Sequence, residues 1–153
     1  MNSVILGALI TGGLTGAFAA QGPSELTSDL AKSYADKTLE CGRKNSWKLS
    51  VAIVNGENNL VTFRRDDGAY FGSIEGSLDK AKSANAFQRP TRAFAEAVSP
   101  KNPDSRPGLL SVKNVVAIEG GLPIMLGGKQ VGAIGVSGAR SVQDEECAKA
   151  AIE

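Results

Sequence analysis

The sequence predicts an α+β domain: one antiparallel sheet of about five strands, flanked by helices. Three observations predict it. Apolar residues recur at helical spacing in segments near both ends and in the middle of the chain. Alternating strand-like runs lie between them. The runs are joined by Asn/Gly or Gly-Gly turns rather than by crossover helices, which favours antiparallel neighbours. The order along the chain is αββααβββα.

The first helix is capped by Ser24, and Leu26, Leu30, Tyr34, Thr38 and Cys41 form one stripe. Gly42 ends it, with Arg43 and Lys44 beside the negative end of the helix dipole. Tyr34 on that stripe reads as core. Leu49, Val51 and Ile53 then alternate with Ser50, Ala52 and Val54 as a strand. Turn chemistry follows at 55–59, and 60–64 returns to complete a hairpin. A polar loop at 65–69 leaves the sheet. Ser73 caps a second helix over 74–87, with Ile74, Leu78, Ala81 and Ala84 facing inward, and Pro90 breaks it. Thr91 caps a short third helix through Val98. Pro100, Pro103 and Pro107 make 99–108 an irregular loop. Strands are predicted over 112–118, 122–126 and 130–136, the last two joined by Gly127-Gly128. Gly132, Gly135 and Gly138 mark bends or the close approach of another group. A final helix starts at Ser141, with Asp144 as a weak capping-box partner.

Composition excludes several functions. The chain has 153 residues, 17 Lys+Arg and 16 Asp+Glu, so its net charge of +1 gives no electrostatic case for nucleic acid or an anionic membrane surface. It has no histidine, which removes Ser-His-Asp and Cys-His catalysis and His-ligated zinc or haem. No Cys or Asp/Glu cluster has ligand spacing, so no metal site is expected. Residues 132–138 followed by a helix imitate a phosphate cradle. Asp144, Glu145 and Glu146 at that helix start would repel a phosphate, and neither glycine fingerprint is present. Adjacent Asp66 and Asp67 point opposite ways on an extended segment. They read as a solvated Asp-Gly turn, with Asp67 as the alternative binding-loop residue.

Residues 1–24 carry no charged side chain, and an apolar stretch ends in Ala17-Phe18-Ala19-Ala20. We read 1–20 as a secretory signal peptide and 21–153 as the mature domain, periplasmic or secreted. The departure from pattern is an n-region without Lys or Arg. Export changes how the two cysteines read: Cys41 and Cys147 are expected to form one bridge, two separate buried thiols being the alternative.

Five stretches carry a family resemblance. They are Val51-Ala52-Ile53-Val54 with its turn, Asp67-Gly68-Ala69, Lys80-Ala81 through Arg89-Pro90-Thr91, Gly120-Gly121-Leu122-Pro123-Ile124, and 131–139 with Asp144-Glu145. Over residues 25–153 the chain resembles the GlcG/HbpS-like family. The resemblance implies a small, profilin-like domain with an antiparallel sheet flanked by helices, commonly assembled into homo-oligomers. It implies haem as a cofactor for an exported member, and by motif it ties Thr91 to haem contact. Asp66 stands where many members have Met, which adds a negative charge to that loop.

Without histidine, the axial donors on offer are Tyr34, Tyr70, Met125, Cys41 and Cys147. Tyr70, beside a glycine loop and Phe71, is the best placed. Arg64, Arg65, Arg89 and Arg92 are the candidate propionate partners, a solvated surface being their alternative role. The candidate ligand site is therefore Thr91, Arg89, Tyr70, Asp67 and Arg64. The expected function is an exported haem-binding or haem-handling protein, with no membrane contact after cleavage. The alternatives are a non-catalytic module for another small ligand, an organic acid or corrinoid linked to glycolate- or diol-type metabolism, and an enzyme using Thr91, Tyr70 and Asp67.

Overall fold

A computed structural model describes residues 25–153. The predicted leader, 1–20, and the Ser24 cap lie outside the described residues. Four α-helices, α1 (Ser28–Lys44), α2 (Ser73–Phe87), α3 (Arg92–Val98) and α4 (Ser141–Ile152), surround a sheet of β1 (Ser50–Asn55), β2 (Leu60–Arg65), β3 (Gly121–Leu126) and β4 (Lys129–Ser137). The strand order is β2-β1-β4-β3, antiparallel throughout. Among the described residues no helix is long and apolar enough to cross a membrane.

The sheet has four strands where about five were expected. Residues 112–118 follow a 3-10 helix (Pro107–Ser111) and pair with no strand. Asn114 takes a φ of +68°, which interrupts an extended run, and Val116 N–H donates to Ser83 Oγ on α2. The segment straps across α2 instead of joining the sheet.

Two helix starts also differ from expectation. Thr27 caps α1, its hydroxyl accepting from Leu30 N–H at 3.2 Å. Gly72 precedes α2, and Ser73 sits one residue inside, its Oγ donating to Tyr70 C=O and pairing with Ser50 Oγ. At α1's other end the helix runs past Gly42 to Lys44. A Cβ at Gly42 would lie 2.7 Å from the Leu49 side chain, so that glycine serves close packing rather than a stop.

The two sheet faces are packed differently. On one, Val51, Ile53, Ile124, Ile134 and Val136 meet Ala31, Tyr34, Ala35 and Leu39 of α1 and Cys147, Ala148 and Ala151 of α4. A disulfide between Cys41 and Cys147, Cα–Cα 5.5 Å, ties these two helices together, as expected. On the other face the core is small: Ala52, Val54 and Ala133 against Ala81 and Ala84 of α2. That lets α2 sit almost on the backbone of the sheet. Gly121 and Gly135 are register partners, and a Cβ on either would overlap a carbonyl of α2, Lys80 at the first and Ser77 at the second.

Gly135→Ala is therefore expected to push α2 off the sheet and to destabilise by about 3 kcal/mol, at the upper end of overpacking costs. Urea unfolding checks this, with Gly128→Ala, where no atom lies within 4 Å of the added Cβ, as the comparison. That glycine has a φ of +78°, so only its modest backbone penalty should appear.

Candidate functional site

Two clefts lie next to predicted site residues. The larger, about 800 Å³, runs along β3 between the Gln88–Pro90 turn and the C-terminal end of α4. Its apolar lining includes Leu122, Pro123, Met125 and Ile152, and its charged lining is Lys129, Lys149, Glu145 and Glu153, with Lys149 Nζ 3.5 Å from Glu153. Met125 is 54% exposed, an unusual position for a thioether. β3 is an edge strand, and Pro123, which has no N–H to offer, is tolerated there.

Thr91 positions this cleft rather than lining it. It is fully buried. Its hydroxyl accepts from Gly121 N–H at 3.0 Å, and its own N–H donates to Gly121 C=O at 3.0 Å. The two bonds clamp the turn before α3 onto the start of β3. The hydroxyl stands at the N-cap position of α3 but makes no capping bond.

Beside the clamp, Arg92 donates to Glu145 Oε1 at 2.7 Å and lies 3.7 Å from Glu119. The Glu145 hydrogen bond, ahead of the charges of Glu145 and Glu119, holds the guanidinium still more firmly protonated than usual. Glu145 Oε2 is buried with no hydrogen-bond partner among the described residues.

The second cleft, about 390 Å³, lies between the start of α2 and the start of α4. Tyr70 and Ser137 line it, with Val116 and Ile118 as an apolar wall. In its floor Lys80 and Asp144 form an ion pair at 2.9 Å, with 4% and 2% of their surfaces exposed. Lys80 Nζ also donates to Val136 C=O at 2.8 Å, and Asp144 Oδ1 accepts from Ala139 N–H at 2.9 Å. Burial raises the Asp144 carboxyl above the usual carboxylate range, and the Lys80 charge opposes that rise. At the cleft edge Ser141 donates to Glu119 and holds its carboxyl below the usual range.

The five predicted site residues do not converge. Arg64 lies on β2, the opposite sheet edge from β3, at least about 14 Å away at ordinary strand spacing. It binds Asp36 of α1. Asp67 is an exposed turn residue. Tyr70 belongs to the smaller cleft. Arg89 lies between two lining residues of the larger one, stacked over the Phe94 ring with its Cζ 5.8 Å from the centroid. Of the other arginines, Arg65 donates to Ala69 C=O and Arg92 is held by Glu145. Asp66 is buried, its Oδ1 accepting from Arg43 while its Oδ2 has no hydrogen-bond partner among the described residues, so the charge expected to burden that loop is paired with a cation of α1. Among the donors, Tyr34 is core and the cysteines are bridged, leaving Met125 and Tyr70 exposed.

Sequence reasoning did not single out Lys129, Lys149, Lys80 or Ser137. For Lys80 a signal existed: it falls on the same helical face as Ser77, Ala81 and Ala84, where a charged residue needs a buried partner.

An antiparallel sheet sandwiched between helices, with a ligand-sized cleft along its β3 edge, defines a small α/β/α domain. Residues 26–153 match the family model described as "Haem degrading protein HbpS-like", and the chain belongs to this family. An uncharacterised 15.0 kDa protein in the dhaT-dhaS intergenic region of Citrobacter freundii is 30% identical over 135 residues, covering 85% of this chain and 94% of that protein. Protein GlcG of Escherichia coli K12 is 29% identical over 112 residues, 73% of this chain and 81% of that one. Among solved structures, HbpS has a TM-score of 0.75 at 30% identity, covering 94% and 95% of the two chains. A haem complex of PduOC has a TM-score of 0.75 at 23% identity, covering 84% and 93%, and shows a shared fold.

Proposed function

We propose that this protein binds haem in the cleft along β3 and does so outside the reducing cytoplasm. The observation that carries the reading is an 800 Å³ cleft with apolar lining and an exposed thioether, in which two lysines stand beside Glu145 and Glu153. That volume lies within the range of cofactor sites. Met125 would offer the iron a soft donor, Lys129 would face a propionate, Lys149 would do so by exchanging its exposed Glu153 partner, and Leu122, Pro123 and Ile152 would meet the macrocycle. Haem, when bound, supplies a redox-active iron. Thr91 keeps the turn that forms one wall. The family description and the haem complex of a protein with the same fold support the choice of ligand.

The Cys41–Cys147 bridge supports an extracytoplasmic location, since disulfides persist where thiols are not kept reduced. The 1–20 leader is the matching export signal, and assembly into homo-oligomers remains part of the proposal.

Hemin titration of the oxidised protein tests it. A saturable one-to-one Soret band is expected. Met125→Leu should shift its position, and Lys129→Gln with Lys149→Gln should weaken binding about tenfold. Tyr70→Phe should leave the band unchanged, because Tyr70 lines the other cleft. A spectrum indistinguishable from hemin with an unrelated protein would end the haem reading. A band lost in Tyr70→Phe but kept in Met125→Leu would move the site.

A further inference from the structure

The smaller cleft carries a second inference, independent of haem. Its polar groups are unbalanced. Asp144 has both oxygens engaged, Oδ2 by Lys80 and Oδ1 by Ala139 N–H. The donors have capacity to spare. An ammonium has three N–H bonds, and among the described residues Lys80 uses two. Ser137 is 5% exposed, and the one partner of its Oγ among the described residues, Tyr70 Oη, is 3.4 Å away, well beyond the usual 2.7–2.8 Å of hydroxyl pairs. Tyr70 Oη has no nearer partner among the described residues. Two hydroxyls and an ammonium thus present donors to one cleft. An acceptor oxygen seated at the cleft between the two hydroxyls could take a hydrogen bond from each.

The surrounding charge decides what kind of oxygen. The charged lining is Asp79, Lys80 and Asp144, two acids against one base, for a net −1. Glu119 adds a carboxylate behind Ser141, partly offset by Arg92. Such a pocket repels a carboxylate ligand and accepts an uncharged carbonyl. Val116 and Ile118 would receive a short apolar tail.

We propose that this cleft binds a small uncharged molecule through a carbonyl oxygen, with Tyr70 and Ser137 as the hydroxyl donors and the Lys80–Asp144 pair as its fixed polar floor. The site stands apart from the β3 cleft, which Tyr70 and Ser137 do not line.

Isobutyramide and isobutyrate, equal in shape and different in charge, test this on the oxidised full chain by two-dimensional amide NMR. Isobutyramide should give saturable millimolar shifts at Gly72, Gly76, Val116 and Ser137. Isobutyrate should bind about tenfold more weakly. Tyr70→Phe and Ser137→Ala should each weaken isobutyramide about fivefold, and the remaining amide peaks and the melting temperature report that each variant is folded. Tyr70 is largely exposed, so its variant is not expected to disturb the fold. Hemin should leave the isobutyramide affinity unchanged, so failure here and failure of the haem reading are separate outcomes. The inference is overturned if isobutyrate binds as well as isobutyramide, if both variants retain the original affinity, or if neither probe saturates.

Discussion

Lys80→Met is expected to destabilise the protein by about 3–5 kcal/mol, because it leaves the Asp144 carboxylate buried without its counter-charge. Lys80 comes from α2 and Asp144 from α4, so the pair crosses from one layer of helices to the other at the end of β4. The alkyl chain of the methionine fills most of the vacated volume, so the loss is electrostatic rather than a cavity. Lys80→Met with Asp144→Leu should recover most of it, since a buried pair replaced by apolar groups is often neutral.

The deficit should depend on pH in a direction the geometry sets. Burial raises the Asp144 carboxyl in the folded state. A carboxyl whose folded pKa lies above its unfolded value gives stability that is fully present below the unfolded value and is lost as pH rises through the folded one. Removing Lys80 removes the one charge that lowers it, so the variant should recover relative to wild type as pH falls from neutral into the acidic range where Asp144 protonates. Urea unfolding of both proteins at neutral and mildly acidic pH measures this. A variant within about 1 kcal/mol of wild type at neutral pH would show that the pair is solvated rather than buried.

The second large effect is reduction of the disulfide. Cys41 and Cys147 are 106 residues apart, so the bridge removes the closure entropy of nearly the whole described chain. The chain-entropy account puts this at about 4.7 kcal/mol, and measured native bridges fall at roughly 2–5 kcal/mol. Cys41→Ala with Cys147→Ala should lower the melting temperature by roughly 10–15 °C. The fold itself should persist, because Leu39 of α1 and Ala148 of α4 remain in the same buried cluster. The unreduced, denatured protein should show no free thiol. Two thiols, or a double variant as stable as wild type, would contradict the bridge.

Helices and hairpins were legible because they rest on local chemistry. The stripe from Leu30 to Thr38, the turn at 55–59 and the Gly127-Gly128 hairpin each lie within a few residues of the partners they need. The close approach at Gly135 was legible in kind, though the approaching group, the α2 backbone at Ser77, was not. The candidate site was read less well. Asp67, Arg89 and Thr91 lie in the family motifs and Arg64 and Tyr70 beside one of them, yet the sheet order sends Arg64 to one edge while Gly121 binds Thr91 at the other. Residues 112–118 have strand composition, but Asn114 at a φ of +68° breaks the extended run, and a Ser83 hydroxyl on α2 accepts the Val116 N–H.

By itself the sequence determined the family, the α+β class and the hairpin pairing, and it offered a bridge between its two cysteines with separate thiols as the alternative. All of these follow from periodicity, turn chemistry, motif order and counting. Only the tertiary structure decided which polar groups are free. Arg43, Arg64 and Arg92 are occupied by Asp66, Asp36 and Glu145, Thr91 is buried against Gly121, and Lys80 faces Asp144 across 64 residues of sequence. Whether a side chain can bind a ligand depends on the partners it already has, and those partners are brought to it by packing between layers, a long-range outcome that no local pattern encodes.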